Sequence, residues 1–599
     1  MTAKRHGPAK APPLRIVLAR AAAAERAGRV AEAVTHLAGL SDEARRSADA
    51  APVAARVLDR AGRTLEALDY HCAAWQAAPL DRRLRQALAT ALGRVQPPFP
   101  APELEAALLD LAAARDVEIP ATAPLGMLQS RSPWRAALSA AAEGRDADLL
   151  RLAGRPAPAG FADDGFVLGV MEHLSLPGEG AERLLTGLRR AALLAADAAE
   201  EAAEEAALPP LRLLAALALQ AWWAEYCWAE TPVELAALER LGAGTAGEMP
   251  LRACLRALYR VPEVLPAAAE DDELALLRRA CLEEPAAEAA LAAGLPCLTG
   301  VADATSRAVQ AQYEENPYPR WQGLRRQKAR PLADVVTGLF PWVKPKSLPR
   351  GAERPRILVA GCGTGAHAAK VAARYRQADV LAVDLSARAL GYGVRRASEL
   401  GAGNLRFAVA DILELGVLEE RFHLIECSGV LHHLADPLAG WRVLRGLLRP
   451  RGLMKIGLYA TAGRREIQAA RDFVAAGGYP ADAAGMRRAR ADLLALPSDA
   501  PARQVARELD FYAASTCRDL LFHVQEVAID IPQLAAWLAA LDLEFIGFEI
   551  ADPALSRRFR QAFPAAGAAG DLEAWRRFEE IEPAAFRTMY QFWCRPRDG

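Results

Sequence analysis

The amino-acid sequence predicts an α-helical N-terminal half followed by an α/β domain with a doubly wound, mostly parallel sheet. Three observations carry that reading. From about Leu14 to Leu92 the chain is Ala-rich, has helical period and repeats a six-residue pattern after 34 positions. Beyond Gly351, short apolar runs alternate with helical stretches, as in parallel sheets covered by helices. The first such run, Arg356 to Ala360, leads into Gly361-Cys362-Gly363-Thr364-Gly365 and a helix from about Ala366. Glycines there permit positive φ and close backbone approach. The helix start then turns unpaired N–H groups toward a ligand.

In the repeat, Gly28-Arg29-Val30-Ala31-Glu32-Ala33 recurs as Gly62-Arg63-Thr64-Leu65-Glu66-Ala67, and Ala74 and Pro79 follow the second copy. The spacing, with small residues that let paired helices approach closely, resembles the tetratricopeptide repeat. Two copies are too few for a continuous core, so the following helices must cap them. Residues 1–120 are therefore expected as a tetratricopeptide-like region and 121–311 as a further all-helical domain. Gln96 to Pro102 and Pro120 to Pro133 read as helix-breaking stretches, and Glu182 to Ala206 and Pro209 to Trp228 as helices. The cluster Trp222, Trp223, Tyr226 and Trp228 reads as core packing, or more sharply as a groove for a peptide or ligand. Acidic Glu200 to Glu205 reads as a solvated helix face.

Residues 312–350 connect the halves. They open with Tyr313-Glu-Glu-Asn316-Pro317-Tyr318-Pro319-Arg320-Trp321, expected to be ordered, non-helical and folded back over the glycine turn. Arg325, Arg326, Lys328 and Arg330 follow, read as a solvated basic linker with contact to an anionic substrate as the alternative. In the α/β domain the expected strands are Arg356 to Ala360, Asp379 to Asp384, Leu405 to Asp411, Phe422 to Glu426 and Leu453 to Tyr459. The helices between them are Ala366 to Arg374, Ser386 to Leu400 with Ser386 as N-cap, and Pro437 to Leu448, ended by Arg449-Pro450-Arg451-Gly452.

Asp384 stands 23 residues after Gly361, where a carboxylate can accept both ribose hydroxyls of a nucleoside lying across the first two strands. Ala410-Asp411-Ile412 end the third strand, and Ser428-Gly429-Val430-Leu431-His432-His433-Leu434 follow the fourth. In this order the motifs resemble the class I S-adenosylmethionine-dependent methyltransferases, Rossmann-like domains with a mixed seven-stranded sheet. The dinucleotide fingerprint also fits Gly361-x-Gly363-x-x-Ala366, but a dehydrogenase gives no role to Gly365, the His-His-Leu stretch or Arg449-Pro-Arg-Gly452.

The resemblance implies S-adenosyl-L-methionine as cofactor and a methyltransferase domain over 351–599. It implies a lid-like insertion at 461–541 and a closing hairpin from Leu543 to Ile550 and Thr588 to Cys594. By resemblance, Gly361, Cys362, Gly363, Thr364, Gly365, Asp384 and Leu385 bind the cofactor. Asp411 would meet the adenine amino group, Ile412 the ring, and Ser428 to His433 the floor under the sulfur. The family's usual acid two residues before the first glycine is here Val359. Tyr318 and Arg320 are expected to hold the methionine end instead, Arg320 through its planar fork. His432, His433 and Tyr459 are the candidate bases, required only if the acceptor keeps a proton at neutral pH. Asp519, His523 and Glu526 fall on one face of a helix in the insertion, read as a docking face, and no metal is assigned. The whole chain also resembles bacterial methyltransferases with tetratricopeptide-type helices in front, the segment Asn316-Pro-Tyr-Pro-Arg-Trp321 and the ending Met589-Tyr-Gln-Phe-Trp593. That likeness implies no acceptor.

Composition narrows the classes. A net charge of −1 gives no reason to expect nucleic acid as a partner. Nine cysteines without a C-x-x-C pair indicate neither a disulfide framework nor zinc, as in a reducing cytoplasm. Lys4, Arg5 and Lys10 precede an apolar run that Arg15 and Arg20 interrupt, a poor signal peptide, and no membrane span is expected. Base and glutamine N-methylation are disfavoured, because Cys427-Ser-Gly-Val430 stands where those enzymes carry Asn/Asp-Pro-Pro-Tyr. The reading is a methyltransferase whose helical half selects a protein or peptide partner or a substrate. The alternative is a cofactor-binding interaction scaffold with little or no turnover.

Overall fold

The structure, a computed structural model, describes residues 12–97, 99–202, 208–242, 249–266, 272–325, 328–587 and 589–597. Lys4, Arg5, Lys10, Glu204, Glu205, Arg326 and Thr588 lie outside them. The chain divides into two compact units, Met1–Leu176 with Gln322–Arg326, and Pro177–Trp321 with Gln327–Gly599.

The first unit is helical. Helices Leu14–Arg26 and Val30–Ala38 meet at Gly28 (φ 76°), and Ala51–Arg60 and Thr64–Ala77 meet at Gly62 (φ 74°). The two turns share one hydrogen-bond pattern, Arg29 N–H to Ala24 O and Arg63 N–H to Leu58 O. Such left-handed helix ends favour glycine. The alanines explain themselves here, since Ala21, Ala24, Ala33, Ala54, Ala55 and Ala67 form the core in which the helices touch. The same turn occurs a third time at Gly144 (φ 68°), with Arg145 N–H donating to Ala140 O. The sequence conceals this copy, because Asp148-Leu149 stands where the other copies have Glu-Ala. The stretch Pro120 to Pro133 is not purely breaking. It holds helix Thr122–Leu128, with Pro124 in the first turn, where the missing N–H has no intrahelical partner to lose.

In the second unit the helices Glu179–Ala202 and Leu211–Trp223 precede the sheet. Trp222 and Trp228 are buried, as packing requires. The strands are β1 (Arg356–Ala360), β2 (Asp379–Asp384), β3 (Leu405–Val409), β4 (Phe422–Ser428), β5 (Leu448–Tyr459), β6 (Leu543–Phe548) and β7 (Met589–Pro596). They form one seven-stranded sheet in the order β3-β2-β1-β4-β5-β7-β6. β7 runs antiparallel to both of its neighbours, and the other pairs are parallel. Strand order reverses between β1 and β4, the switch point at which open α/β sheets bind ligands. β5 starts earlier than expected, at Leu448. Pro450 and Arg451 (φ 61°) sit where the β4–β5 register shifts, and a bulge tolerates a proline.

Two further expectations are corrected. Tyr313 belongs to helix Ala304–Glu315, so the non-helical segment begins at Asn316. Helix Ala514–Phe522 ends before His523, so Asp519, His523 and Glu526 do not share a helix face. Among the described residues no helix is long and apolar enough to cross a membrane.

Candidate active site

A cavity of about 350 Å³ lies at the carboxyl ends of β1 to β4. Each strand delivers its part through the turn that follows it. After β1 come Gly361, Cys362 and Gly363, all in the lining. A side chain on Gly361 would strike Val430, and one on Gly363 would strike the Tyr318 carbonyl, so both positions need glycine for room as well as for φ. At the end of β2, Asp384 accepts from the Gly363 N–H at 2.7 Å and from the Ser386 N–H at 3.0 Å. Burial raises its pKa, and these backbone donors oppose the rise. After β3, Asp411 is 1% exposed and its Oδ2 has no hydrogen-bond partner among the described residues. A buried acceptor left unmatched at a cavity wall is a place for a ligand donor. Leu385, Ile412 and Ser428 also line the cavity.

The Asn316–Trp321 segment lies over the glycine turn. Thr364 N–H donates to Tyr318 O at 3.2 Å, the Thr364 hydroxyl donates to Pro319 O, and Trp321 Nε1 donates to Thr364 O at 3.0 Å. Thr364 is thereby wholly committed to this strap, and Gly365 packs toward Phe407; neither faces the cavity. Tyr313, Tyr318 and Pro319 do face it. Arg320 departs from the expectation. Its Nε pairs with Glu225 at 3.1 Å and its guanidinium covers the Trp222 ring at 4.7 Å, which draws it away from the cavity. Arg330 is likewise held by backbone, through its side chain on Asp334 O.

The acid absent at Val359 has a counterpart one strand over. Glu426 of β4 pairs in register with Val359 of β1, so the two side chains share one face of the sheet. Glu426 is 1% exposed and accepts from the Tyr375 hydroxyl at 3.0 Å. Burial pushes its carboxyl up, but Lys455, His367 and Arg374 overcome that and hold it at about 2. Its Oε2 lies 3.0 Å from His367 Nε2 without hydrogen-bond alignment, so both atoms are left unmatched. His367 lines the cavity. The sequence hid this pair because its members are 59 positions apart and meet only through strand pairing.

The far wall comes from the insertion and from the turn after β4. Gln525 N–H donates to His523 Nδ1 at 3.2 Å, which places the proton of neutral His523 on Nε2. Nε2–H then faces the Tyr313 hydroxyl at 3.2 Å, and that hydroxyl donates to Asp519 Oδ1 at 2.6 Å. His433 stacks on His523 at 3.6 Å and gives its Nδ1–H to Gln525 O at 2.8 Å, so its Nε2 keeps a lone pair. Burial lowers both imidazoles to about 3. His433, Asp519 and His523 bring potential metal-ligand atoms within 4.8 Å of one another. The hydrogen bonds leave His523 no lone pair, however, which makes the trio a poor metal site. Glu526 is taken up by Arg464 (2.8 and 2.7 Å) and Arg471 (3.2 Å).

His432 is absent from the cavity lining. It is fully buried, neither ring nitrogen has a partner among the described residues, and it stacks on Tyr459 at 3.8 Å. Arg464 covers Tyr459 at 3.7 Å, so that ring shows the cavity only its edge and hydroxyl. Burial first, and Asp519 next, keep that phenol protonated.

A family model described as a methyltransferase domain matches residues 357–452. The chain carries a class I methyltransferase domain. The matched segment of the methyltransferase domain runs from β1 into β5 and contains the glycine turn, Asp384, Asp411, Glu426 and His433. An uncharacterised protein of Synechococcus is 32% identical over 242 residues, covering 38% of this chain and 57% of the relative. An uncharacterised protein of Rickettsia prowazekii is 29% identical over 153 residues, covering 25% and 58%. The chain thus spans a little over half the length of the curated relatives it matches. Among solved structures, PKMT2 from Rickettsia typhi in complex with AdoHcy is 18% identical, with a TM-score of 0.35 and coverage of 45% of this chain and 53% of that one. The cofactor of the methyltransferase domain is S-adenosyl-L-methionine. The donor set fits it: an orphaned acceptor at Asp411, a carboxylate at Asp384, a cradle closed to any Cβ, and an unmatched His–Glu pair.

Proposed function

We propose that this protein transfers the methyl group of S-adenosylmethionine to an acceptor brought to the Asp519 side of the cavity. The observation that supports this most is the order of groups along the sheet. Asp411 after β3, Asp384 on β2, the glycine turn after β1 and His367–Glu426 beside β4 follow the order adenine, ribose, methionine. In this reading Asp411 Oδ2 accepts the adenine amino group and Asp384 the ribose hydroxyls. His367, steadied by Glu426, holds the methionine end in place of an acid at 359. The bound cofactor supplies a methyl group already activated on a sulfonium. The protein's task is therefore to align the acceptor and exclude water. His433 is the residue proposed to accept a hydrogen bond from the acceptor's N–H or O–H, since its free Nε2 belongs to a ring kept neutral by burial. Tyr459 is a hydrogen-bond donor in this scheme. The helical half is proposed to select the acceptor or a protein partner, and nine free thiols suit a cytoplasmic setting.

The test is labelled-methyl transfer from the cofactor into cell lysate, with the label then located in protein, lipid or small molecules. Transfer that disappears in a Gly363→Val variant is expected. Cofactor binding without any transfer would favour the interaction scaffold.

A further inference from the structure

Among the described residues Asp519 has no charge partner. It is 5% exposed, lines the cavity, and receives only the Tyr313 hydroxyl, on Oδ1. No lysine or arginine among the described residues forms an ion pair with it. The cations nearby are already occupied: Arg464 and Arg471 by Glu526, and Arg518 by Glu315. The neighbouring imidazoles are neutral. A second carboxylate adds to the imbalance. Asp510, which reaches solvent, has its carboxyl raised to about 6, by partial burial first and then by Asp519 and Glu508. A buried carboxylate without a cation is costly, and this one faces the cavity beside two aromatic rings. Tyr313 and Tyr318, stacked at 6.4 Å, line the same end, and aromatic faces attract cations.

We propose that the methyl acceptor is an alkyl amine, seated with its nitrogen between Asp519 and the Tyr313–Tyr318 pair. The proposal rests on the methyltransferase reading and deepens it. The chemistry agrees with the charge. The alkylammonium first loses a proton to water. The nitrogen lone pair then forms the bond to the methyl carbon, and the carbon–sulfur bond breaks with its electrons going to sulfur. Positive charge leaves sulfur and arrives on nitrogen, giving a methylammonium and neutral S-adenosylhomocysteine. A fixed carboxylate at the nitrogen end stabilises that arriving charge. An alcohol or carboxylate acceptor that has lost its proton gives a neutral product on methylation, so no arriving positive charge would be stabilised by Asp519.

The rival role for Asp519 is to pair with the cofactor's own sulfonium, and binding separates the two. Full-length protein saturated with S-adenosylhomocysteine is titrated with n-butylamine and with n-butanol, and binding is followed by NMR or calorimetry. The expected result is at least tenfold tighter binding of the amine. That preference disappears in Asp519→Asn, while the variant's affinities for S-adenosylmethionine and S-adenosylhomocysteine stay within about twofold of wild type. Equal binding of alcohol and amine would overturn the proposal. So would an Asn variant that loses S-adenosylmethionine but keeps S-adenosylhomocysteine, which assigns Asp519 to the sulfonium. Should the variant not fold, the wild-type comparison of amine with alcohol decides alone. Wild-type protein that binds neither cofactor would overturn the methyltransferase reading, and this proposal with it. A parallel pair of probes, N-acetyl-lysine methylamide and 1,4-diaminobutane, distinguishes a side-chain amine from a free one by which is methylated faster.

Discussion

Replacing His367 by Ala tests the assignment of the methionine end. Glu426 stands in register with Val359, and His367 carries that buried charge to the cavity wall. A hydrogen bond to a charged group contributes about 1.5–3 kcal/mol. The His367 side chain is 34% exposed, which weakens the contact, so the lower end applies. The expected loss is therefore about 1.5 kcal/mol, roughly tenfold in affinity for S-adenosylmethionine. The fold should survive, because Glu426 keeps the Tyr375 hydroxyl at 3.0 Å and Lys455 at 3.9 Å, and a circular dichroism melt checks it. The informative control is methylthioadenosine, which keeps adenine and ribose but lacks the amino acid portion. Calorimetry on both ligands should show the loss for S-adenosylmethionine and none for methylthioadenosine. Equal losses for the two would mean that His367 acts through the shape of the glycine turn. No loss for either would remove the pair from the site.

Asp384→Asn should lower affinity for both ligands alike, by about 1.5–3 kcal/mol, since ribose is common to them; unchanged calorimetric affinity counts against the placement. Acid should destabilise the domain earlier than its carboxylates alone would allow. His433 and His523 sit near 3 when folded and near about 6.5 when unfolded. The unfolded state therefore binds more protons, and stability falls as pH drops below about 6.5, by up to about 1.4 kcal/mol per unit for each ring. Glu426 contributes its own loss only below about 4.5. Melting curves of wild type and His433→Gln between pH 7.5 and 5 should diverge in slope, and parallel curves would refute the buried neutral imidazole. Arg490→Met should cost about 3–5 kcal/mol, because it strands buried Glu182, which Arg490 grips at 2.6 Å, and two carbonyl groups; a denaturant shift well below that would show that the insertion docks elsewhere.

What the sequence showed and what it hid follow one rule. Features set by neighbours in the chain were legible: β1, β2 and the helix Ala366–Arg374 begin and end where pattern and glycines put them. Ser386 caps its helix through its hydroxyl on the Ala389 N–H, as its position suggests. Gly28 and Gly62 announced identical turns, and only the altered residues after Gly144 concealed the third. Features set by pairing across the fold were not legible. The sequence offers Arg320 as a fork for the methionine end, but Glu225 and Trp222, about a hundred positions earlier, claim it. His432 and His433 are adjacent in sequence, yet one is sealed behind Tyr459 while the other reaches the cavity, a difference made by a single 3-10 turn.

The same contrast explains why the two ends of the cavity differ in kind. The cofactor end is assembled from turns that directly follow parallel strands, so its geometry is fixed by the sheet and needs only short-range sequence signals. The proposed acceptor end is borrowed. Tyr313 and Tyr318 come from before β1, and Asp519 and His523 come from the insertion between β5 and β6. Their hydrogen bonds to one another span 206 and 210 positions. A chain that varied its acceptor would change these contributed pieces and leave the strand ends alone. Specificity should therefore follow the Tyr313–Asp519–His523 set, and grafting the insertion of a related domain should move acceptor preference without moving cofactor affinity. A graft that lowered cofactor affinity as much as it changed the acceptor would show that the two ends are one mechanical unit, tied through Tyr318 and Thr364.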